Sequence, residues 1–209
     1  YLLLFQDMPC GPLDQAEIDT RSDVLTFQTP ALSSALPLTG PLEVTLFVGS
    51  DAIDTDFMVR LSDVYPSGEV RLIQDSAIRM RWREGGEEPV YMSGDSGSVY
   101  EVTGSLWNTS YVLAPGHSVR VAITSSNYPR FSANPNNGKL LKELDQEPLV
   151  VANNILHHSA EYPSRISLPV VDMGQLPKLD DIKSEFRTAL PDMDPDAVLK
   201  GEALVIRYS

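Results

Sequence analysis

Two groups of residues in this 209-residue chain have the types that hydrolytic chemistry uses. Gly94-Asp95-Ser96-Gly97-Ser98 resembles the loop around a nucleophilic serine, and His117, His157 and His158 are the available bases. A triad needs Ser, His and Asp within hydrogen-bond reach in a compatible fold. A nucleophile elbow needs Gly-x-Ser-x-Gly between a strand and a helix. The serine stretch lies between two strand-like segments and is built of ordinary loop residues, so Ser96 is read as a loop residue. No catalytic residue is assigned.

Metal chemistry fares little better. Adjacent histidines point to opposite faces of a strand, so His157 and His158 do not share an ion. The only cysteine is Cys10, and no His-x-x-x-His pair occurs, which leaves no zinc set. His117 follows Pro115-Gly116 at a strand start and is read as a structural hydrogen-bonder. Oxygen ligands offer one candidate: Asp51, Asp54 and Asp56, in a loop between strands, as a calcium site. The alternative is local capping and turn hydrogen bonding. Asp192, Asp194 and Asp196 have the spacing of an EF-hand start, but Ala197 stands at the required Gly and Ala203 at the bidentate Glu. Calcium at Asp51, Asp54 and Asp56 is thus the one cofactor considered.

The charge balance narrows the partners. Sixteen Lys and Arg against 29 Asp and Glu give a net charge of −13. Such a surface repels nucleic acid and anionic lipid, which are bound through Lys and Arg, and it favours solubility. A single cysteine forms no internal disulfide, so nothing requires an oxidising compartment and a cytoplasmic location is favoured. No stretch is long and apolar enough for a transmembrane helix. Tyr1-Leu2-Leu3-Leu4-Phe5 is too short for a signal sequence and lacks a basic flank, so it reads as the interior of a longer protein. The sequon Asn108-Thr109-Ser110 matters only if the protein is secreted.

Positioning falls to strands. Leu42, Val44, Leu46 and Val48 alternate with other residues, as do Phe57, Val59 and Leu61, which is the period of a half-buried strand. Pro66-Ser67-Gly68 is turn chemistry, and Val70 to Ile73 completes a hairpin. Ile78, Met80 and Trp82 alternate with Arg79, Arg81 and Arg83, and the arginine row is read as a solvated strand face. Val99 to Leu106 and Val119 to Ile123 are further strands. Short strands between Pro, Gly, Asn and Asp turns predict an all-β sandwich or jelly roll. Asn127 to Gly138 is a long loop of turn formers, either functional or a lid. After residue 175 the period changes: Leu179, Ile182 and Phe186 mark a helix stopped by Pro191. Asp194-Pro195-Asp196 opens a second, short helix closed at Lys200-Gly201, and Glu202 to Tyr208 alternates as a last strand.

An ordered set of motifs resembles the C-terminal domain of the cocaine-esterase and X-Pro dipeptidyl-peptidase group of serine hydrolases. The set begins with Gly11-Pro12-Leu13-Asp14-Gln15 and Arg21-Ser22-Asp23-Val24-Leu25-Thr26-Phe27. It continues through Leu38-Thr39-Gly40-Pro41, Ser50 to Phe57 and Leu61-Ser62-Asp63-Val64-Tyr65-Pro66-Ser67-Gly68. Gly116 to Val121, Ser125-Ser126-Asn127-Tyr128-Pro129-Arg130-Phe131, Asn153 to His158 and Pro163 to Val170 complete it. The resemblance covers roughly residues 9–171 and ends after Val171. It implies a galactose-binding-domain-like jelly roll over 21–171, a linker over 1–20 from an upstream α/β-hydrolase domain, and an unmatched appendage over 172–209. It also implies that the triad lies upstream and that this domain packs on the catalytic domain, shapes the active-site mouth and takes part in oligomer contacts. Within the loop, Tyr128, Arg130 and Phe131 are the interface or gating candidates, since interfaces favour aromatic residues and Arg; the alternative is that the aromatics pack on this domain's own core.

Two other functions compete. A carbohydrate-binding module would follow from fold analogy alone, and Trp82 and Trp107 fall in strand-like segments rather than in a loop-lined sugar site. A free-standing interaction protein would use the Leu179/Ile182/Phe186 stripe to cover a vacant interface.

Overall fold

The computed structural model describes residues 12–139, 149–176, 178–191 and 194–196. Cys10, Asp192, the second helix beyond Asp196 and the strand expected over 202–208 lie outside them. The chain divides after Val170 into two compact units.

The first unit is a sandwich of two antiparallel sheets. Its strands are β1 (Leu25–Gln28), β2 (Leu36–Ser50), β3 (Asp56–Val64), β4 (Val70–Arg79), β5 (Tyr100–Leu113), β6 (Ser118–Thr124), β7 (Asn154–His157) and β8 (Arg165–Ser167). One sheet runs β1-β6-β3-β4; the other runs β5-β2-β7, with β8 also paired to β2. The period-two residues face inward from both sheets: Leu42, Val44, Leu46 and Val48 from β2, Phe57, Val59 and Leu61 from β3, and Val119 and Ile123 from β6 share one core. Burying each such side chain is worth about 1.5–3 kcal/mol. The β3–β4 turn is held by Gly68 N–H donating to Tyr65 O, with Gly68 at φ 97°, a conformation that glycine adopts without a Cβ clash.

Three sequence expectations change. The strand expected over Val99 to Leu106 continues to Leu113. It carries one extra residue where Leu106 and Trp107 stand opposite Leu42, since the pairing steps from Glu43↔Ser105 to Pro41↔Asn108. This bulge places Trp107 at φ 65° and switches the inward side from even to odd numbers, so that Val102 and Leu106 are followed by Leu113 in the core. The arginine row is not a solvated face. β4 ends at Arg79, Met80–Trp82 is a 3-10 turn, and Arg81 is 3% exposed. Residues 12–20, expected as linker, pack against the outer side of the first sheet: Gln15 N donates to Val70 O, and Arg60 on β3 reaches Gln15 and Asp19. β3 is consequently buried on both faces.

In the second unit, Asp172 caps a 3-10 turn at Met173–Gln175, and α1 spans Leu179–Ala189. Asp180 and Asp181 in its first turn and Arg187 in its last complement the helix dipole. Asp194 Oδ1 accepts from Asp196 N, a side-chain-to-backbone bond of the kind expected of the cap there.

Candidate functional site

The loop that follows β6 is rich in Asn, Pro and Gly, which gives it no ladder of its own and many local bonds. Asn136 sits at φ 61° with its N–H on Asn134 Oδ1, an Asx turn. The Tyr128–Pro129 peptide is cis. What holds the loop is a set of buried carboxylates at the start of β3 and on β4. Asp75 Oδ2 accepts from Asn127 Nδ2 at 3.0 Å and from Arg130 Nε at 2.8 Å. Asn134 Nδ2 donates to both Asp54 Oδ2 (2.9 Å) and Asp56 Oδ1 (2.7 Å).

Arginines complete this layer. Arg79 makes a two-pronged pair with Asp56, at 2.9 and 2.8 Å, and reaches Ser132 O. Arg81 donates its Nε to Asp54 Oδ2 at 2.7 Å, and its two terminal nitrogens hold Gly138 O and Lys139 O. Asp54, Asp56, Asp75 and Arg81 are all buried. Such pairs are a poor source of net stability but costly to break from one side. Here they fix a loop that would otherwise be only a connection.

The three carboxylates considered as a calcium site are thus turned to other donors. Asp54 and Asp56 point at Arg81, Arg79 and Asn134. Asp51 accepts from Asn153 N and Nδ2, at 2.8 and 2.6 Å, and these bonds hold its carboxyl below the usual carboxylate range. Among the described residues no three His, Cys, Asp or Glu side chains converge on a metal-sized site.

Of the loop candidates, Tyr128 is 75% exposed. Arg130 anchors on Asp75 and lies with its guanidinium carbon 5.5 Å from the centre of the half-buried Phe131 ring. The loop therefore presents Tyr128 outward beside a fixed cation and a partly covered aromatic ring. Sequence reasoning missed Asp75, Arg79, Arg81 and Asn134. A signal existed: Asp54-x-Asp56 and Arg79-x-Arg81 have matched spacing and face each other across the β3–β4 hairpin, Asp56 directly opposite Arg79.

The other chemical residues are held apart. His117 Nδ1 sits 2.8 Å from Asp63 Oδ1, Tyr111 donates its hydroxyl to Asp63 Oδ2 at 2.9 Å, and the Tyr65 ring lies 4.3 Å from the imidazole. Burial, then the bond to Asp63, pushes the Tyr111 phenol above its ordinary range. No serine hydroxyl among the described residues bonds to the His117 ring. Gly94–Ser98 is a loop closed by Asp95 Oδ1 accepting from Gly97 N. His157 packs on Tyr162 and His158 on Phe27.

Comparison with known proteins follows the same line. The family model described as the X-Pro dipeptidyl-peptidase C-terminal non-catalytic domain matches residues 4–167. The chain is 38% identical over 169 residues to cocaine esterase of Rhodococcus sp. (strain MB1 Bresler), covering 81% of this chain and 29% of that protein. Among solved structures, an aminopeptidase from a marine-sediment Thaumarchaeota archaeon superposes with a TM-score of 0.70 at 25% identity, over 77% of this chain and 28% of that one. An alpha-amino acid ester hydrolase gives 0.69 at 29% identity, over 77% of this chain and 27% of that one. The chain spans less than a third of the length of these relatives. A two-sheet sandwich with no assembled nucleophile–base pair among its described residues, matched along most of its length, belongs to the X-Pro dipeptidyl-peptidase C-terminal non-catalytic domain family.

Proposed function

We propose that this chain is the accessory domain of a serine ester or amide hydrolase, of the acyl-esterase or X-Pro dipeptidyl-peptidase kind. It packs on an α/β-hydrolase domain and shapes the entrance to that domain's active site. The observation that carries this reading is the family match over residues 4–167 together with relatives that are themselves hydrolases of about three times the matched length. The galactose-binding-like jelly roll belongs to the same reading. The loop supplies the means: Arg130 and Asn134 fix its path, and Tyr128 is left exposed on a rigid base, which is how an interface anchor keeps its ordering cost low.

The test has two stages. The chain alone is assayed for p-nitrophenyl butyrate hydrolysis and shows no turnover above buffer. In the protein extended through its upstream region, Tyr128→Ala and Arg130→Ala raise KM about three- to tenfold with a smaller change in kcat, since substrate entry is altered and the nucleophile is not. Turnover by the chain alone that vanishes in Ser96→Ala, or unchanged kinetics in both loop variants, would sink this reading.

A further inference from the structure

The two flanks of the sandwich are finished differently. On one, β4 meets β5 tightly: a Cβ added to Gly104 would lie 2.7 Å from Ile78 Cδ1, and Gln74 Nε2 reaches across to Asn108 O. On the other, β1 faces β7 and β8, short strands of four, four and three residues. Among the described residues each of these pairs along one edge only. Between them the sheets leave a cleft of about 200 Å³.

Strand alternation decides what lines it. Phe27 stands opposite Val121, and Val44 opposite Ile166, so these side chains share the inward faces of their sheets. Val44 and Leu46 form the floor, and Val121, Ile123, Leu156 and Ile166 the walls. Phe27, 40% exposed, stands at the mouth with His158, their ring centres 5.7 Å apart and edge to face. The other polar residues beside the cleft are turned elsewhere. Ser164 Oγ accepts from Phe47 N and donates to His157 O. Arg165 stands opposite Thr45 and points with it to the outer face of the sheet, away from Val44 and Leu46.

A buried water needs two to four polar partners, which these floor and wall side chains do not supply. Poorly held water is displaced with gain by an apolar group. A dry cavity of about 150 Å³ with walls of this kind takes benzene. A charged group entering here would lose its hydration with no partner in return. From this volume and these walls we propose that the open flank binds a small neutral aromatic molecule of one ring, of the size of toluene. The ring lies between Val121 and Leu156, walls from opposite sheets, and extends the edge-to-face pair of Phe27 and His158. The site is independent of the accessory-domain reading and stands or falls without it.

The test records methyl spectra of the isotope-labelled full chain during titration with toluene and, in parallel, with sodium benzoate, the same ring carrying a charge. The expected result is a saturable shift of the Val121, Ile123, Leu156 and Ile166 methyls. The Val70 and Leu113 methyls, buried but outside the cleft, stay in place. Benzoate binds at least about tenfold more weakly than toluene. Phe27→Ala, at a partly exposed edge position, weakens toluene binding about three- to tenfold. Val121→Phe fills the cleft and abolishes binding, with unmoved Leu113 methyls reporting an intact fold. No saturable shift, equal movement of Val70 and Leu113, benzoate binding as tight as toluene, or unchanged binding in both variants overturns the proposal. So does a shift of the same methyls on raising protein concentration without ligand, which marks a second copy of the chain seated on this flank.

Discussion

The two buried regions of the first unit are built on opposite principles. Between the sheets lies a core of aliphatic and aromatic side chains, Leu38, Leu46, Val59 and Leu106 among them, that needs only shape and water exclusion. Around β3 and β4 lies a second buried layer of Asp19, Asp54, Asp56, Asp75, Arg60 and Arg81, which needs every donor matched to an acceptor. The first holds the sheets together; the second holds residues 12–20 and the loop onto the sheet. An apolar core tolerates substitutions that keep volume and pattern. An ionic layer tolerates the removal of a pair better than the removal of one partner.

The sharpest test of that contrast is Asp54→Ala. It strands the Arg81 guanidinium and removes an acceptor from Asn134, so it costs about 3–5 kcal/mol in chemical denaturation. Replacing both partners, Asp54→Leu with Arg81→Met, costs well under the sum of the single changes. If the double variant were as unstable as that sum, the layer would be acting as independent contacts, and the distinction from the core would fail. Leu46→Ala in the apolar core is expected to cost about 2–5 kcal/mol by cavity formation. Adding a second core truncation several residues away is expected to be nearly additive.

These regions also differ in how far they could be read from the sequence. Leu42 to Val48 and Phe57 to Leu61 announce themselves by alternation, because inward pointing every second residue is a local property of a strand. The partner of Arg81 lies 27 residues away, and alternation alone assigns Arg81 to solvent. The loop at 127–138 was legible as a loop from its Asn, Pro and Gly content, and Tyr128 and Arg130 as its prominent residues. Its anchors were not, since Asp75 looks like any polar residue on a strand until the loop is laid over it. The β5 bulge left no mark either, because its left-handed position is held by Trp107 instead of Gly.

The Asp63 cluster adds a pH-dependent case of buried polar pairing. Tyr111 is kept neutral by burial and by its bond to Asp63, so its folded-state pKa lies above the ordinary 10.0. That stabilisation is present in full below pH 10.0 and is lost as pH rises beyond it, when the unfolded chain ionises first. Tyr111→Phe is expected to cost about 1.5–3 kcal/mol at neutral pH, the value of a hydrogen bond to a charged acceptor. It should also flatten the alkaline fall in stability. An unchanged alkaline slope in urea titrations would move the titrating group elsewhere. On the acid side Asp14, held low by the Val70 and Ala16 N–H groups, contributes stability above its ordinary 3.8 that is lost as pH falls through and below that value.

The smallest effect expected has the opposite sign. Trp107 occupies a left-handed bulge position at φ 65° while its side chain is 70% exposed, so the conformation is strained and little burial offsets the strain. A left-handed L-residue costs about 1–2 kcal/mol, whereas glycine there gives up roughly 0.5–1 kcal/mol of unfolded-chain entropy. Trp107→Gly is therefore expected to raise stability by about 0.5 kcal/mol. Trp107→Val, branched at Cβ, is expected to lower it by a similar amount or more. Thermal unfolding of the pair decides the matter. If glycine destabilises as much as valine, the indole is being held by contacts of its own, and the outer face of β5 joins the core and the ionic layer as a third packed surface.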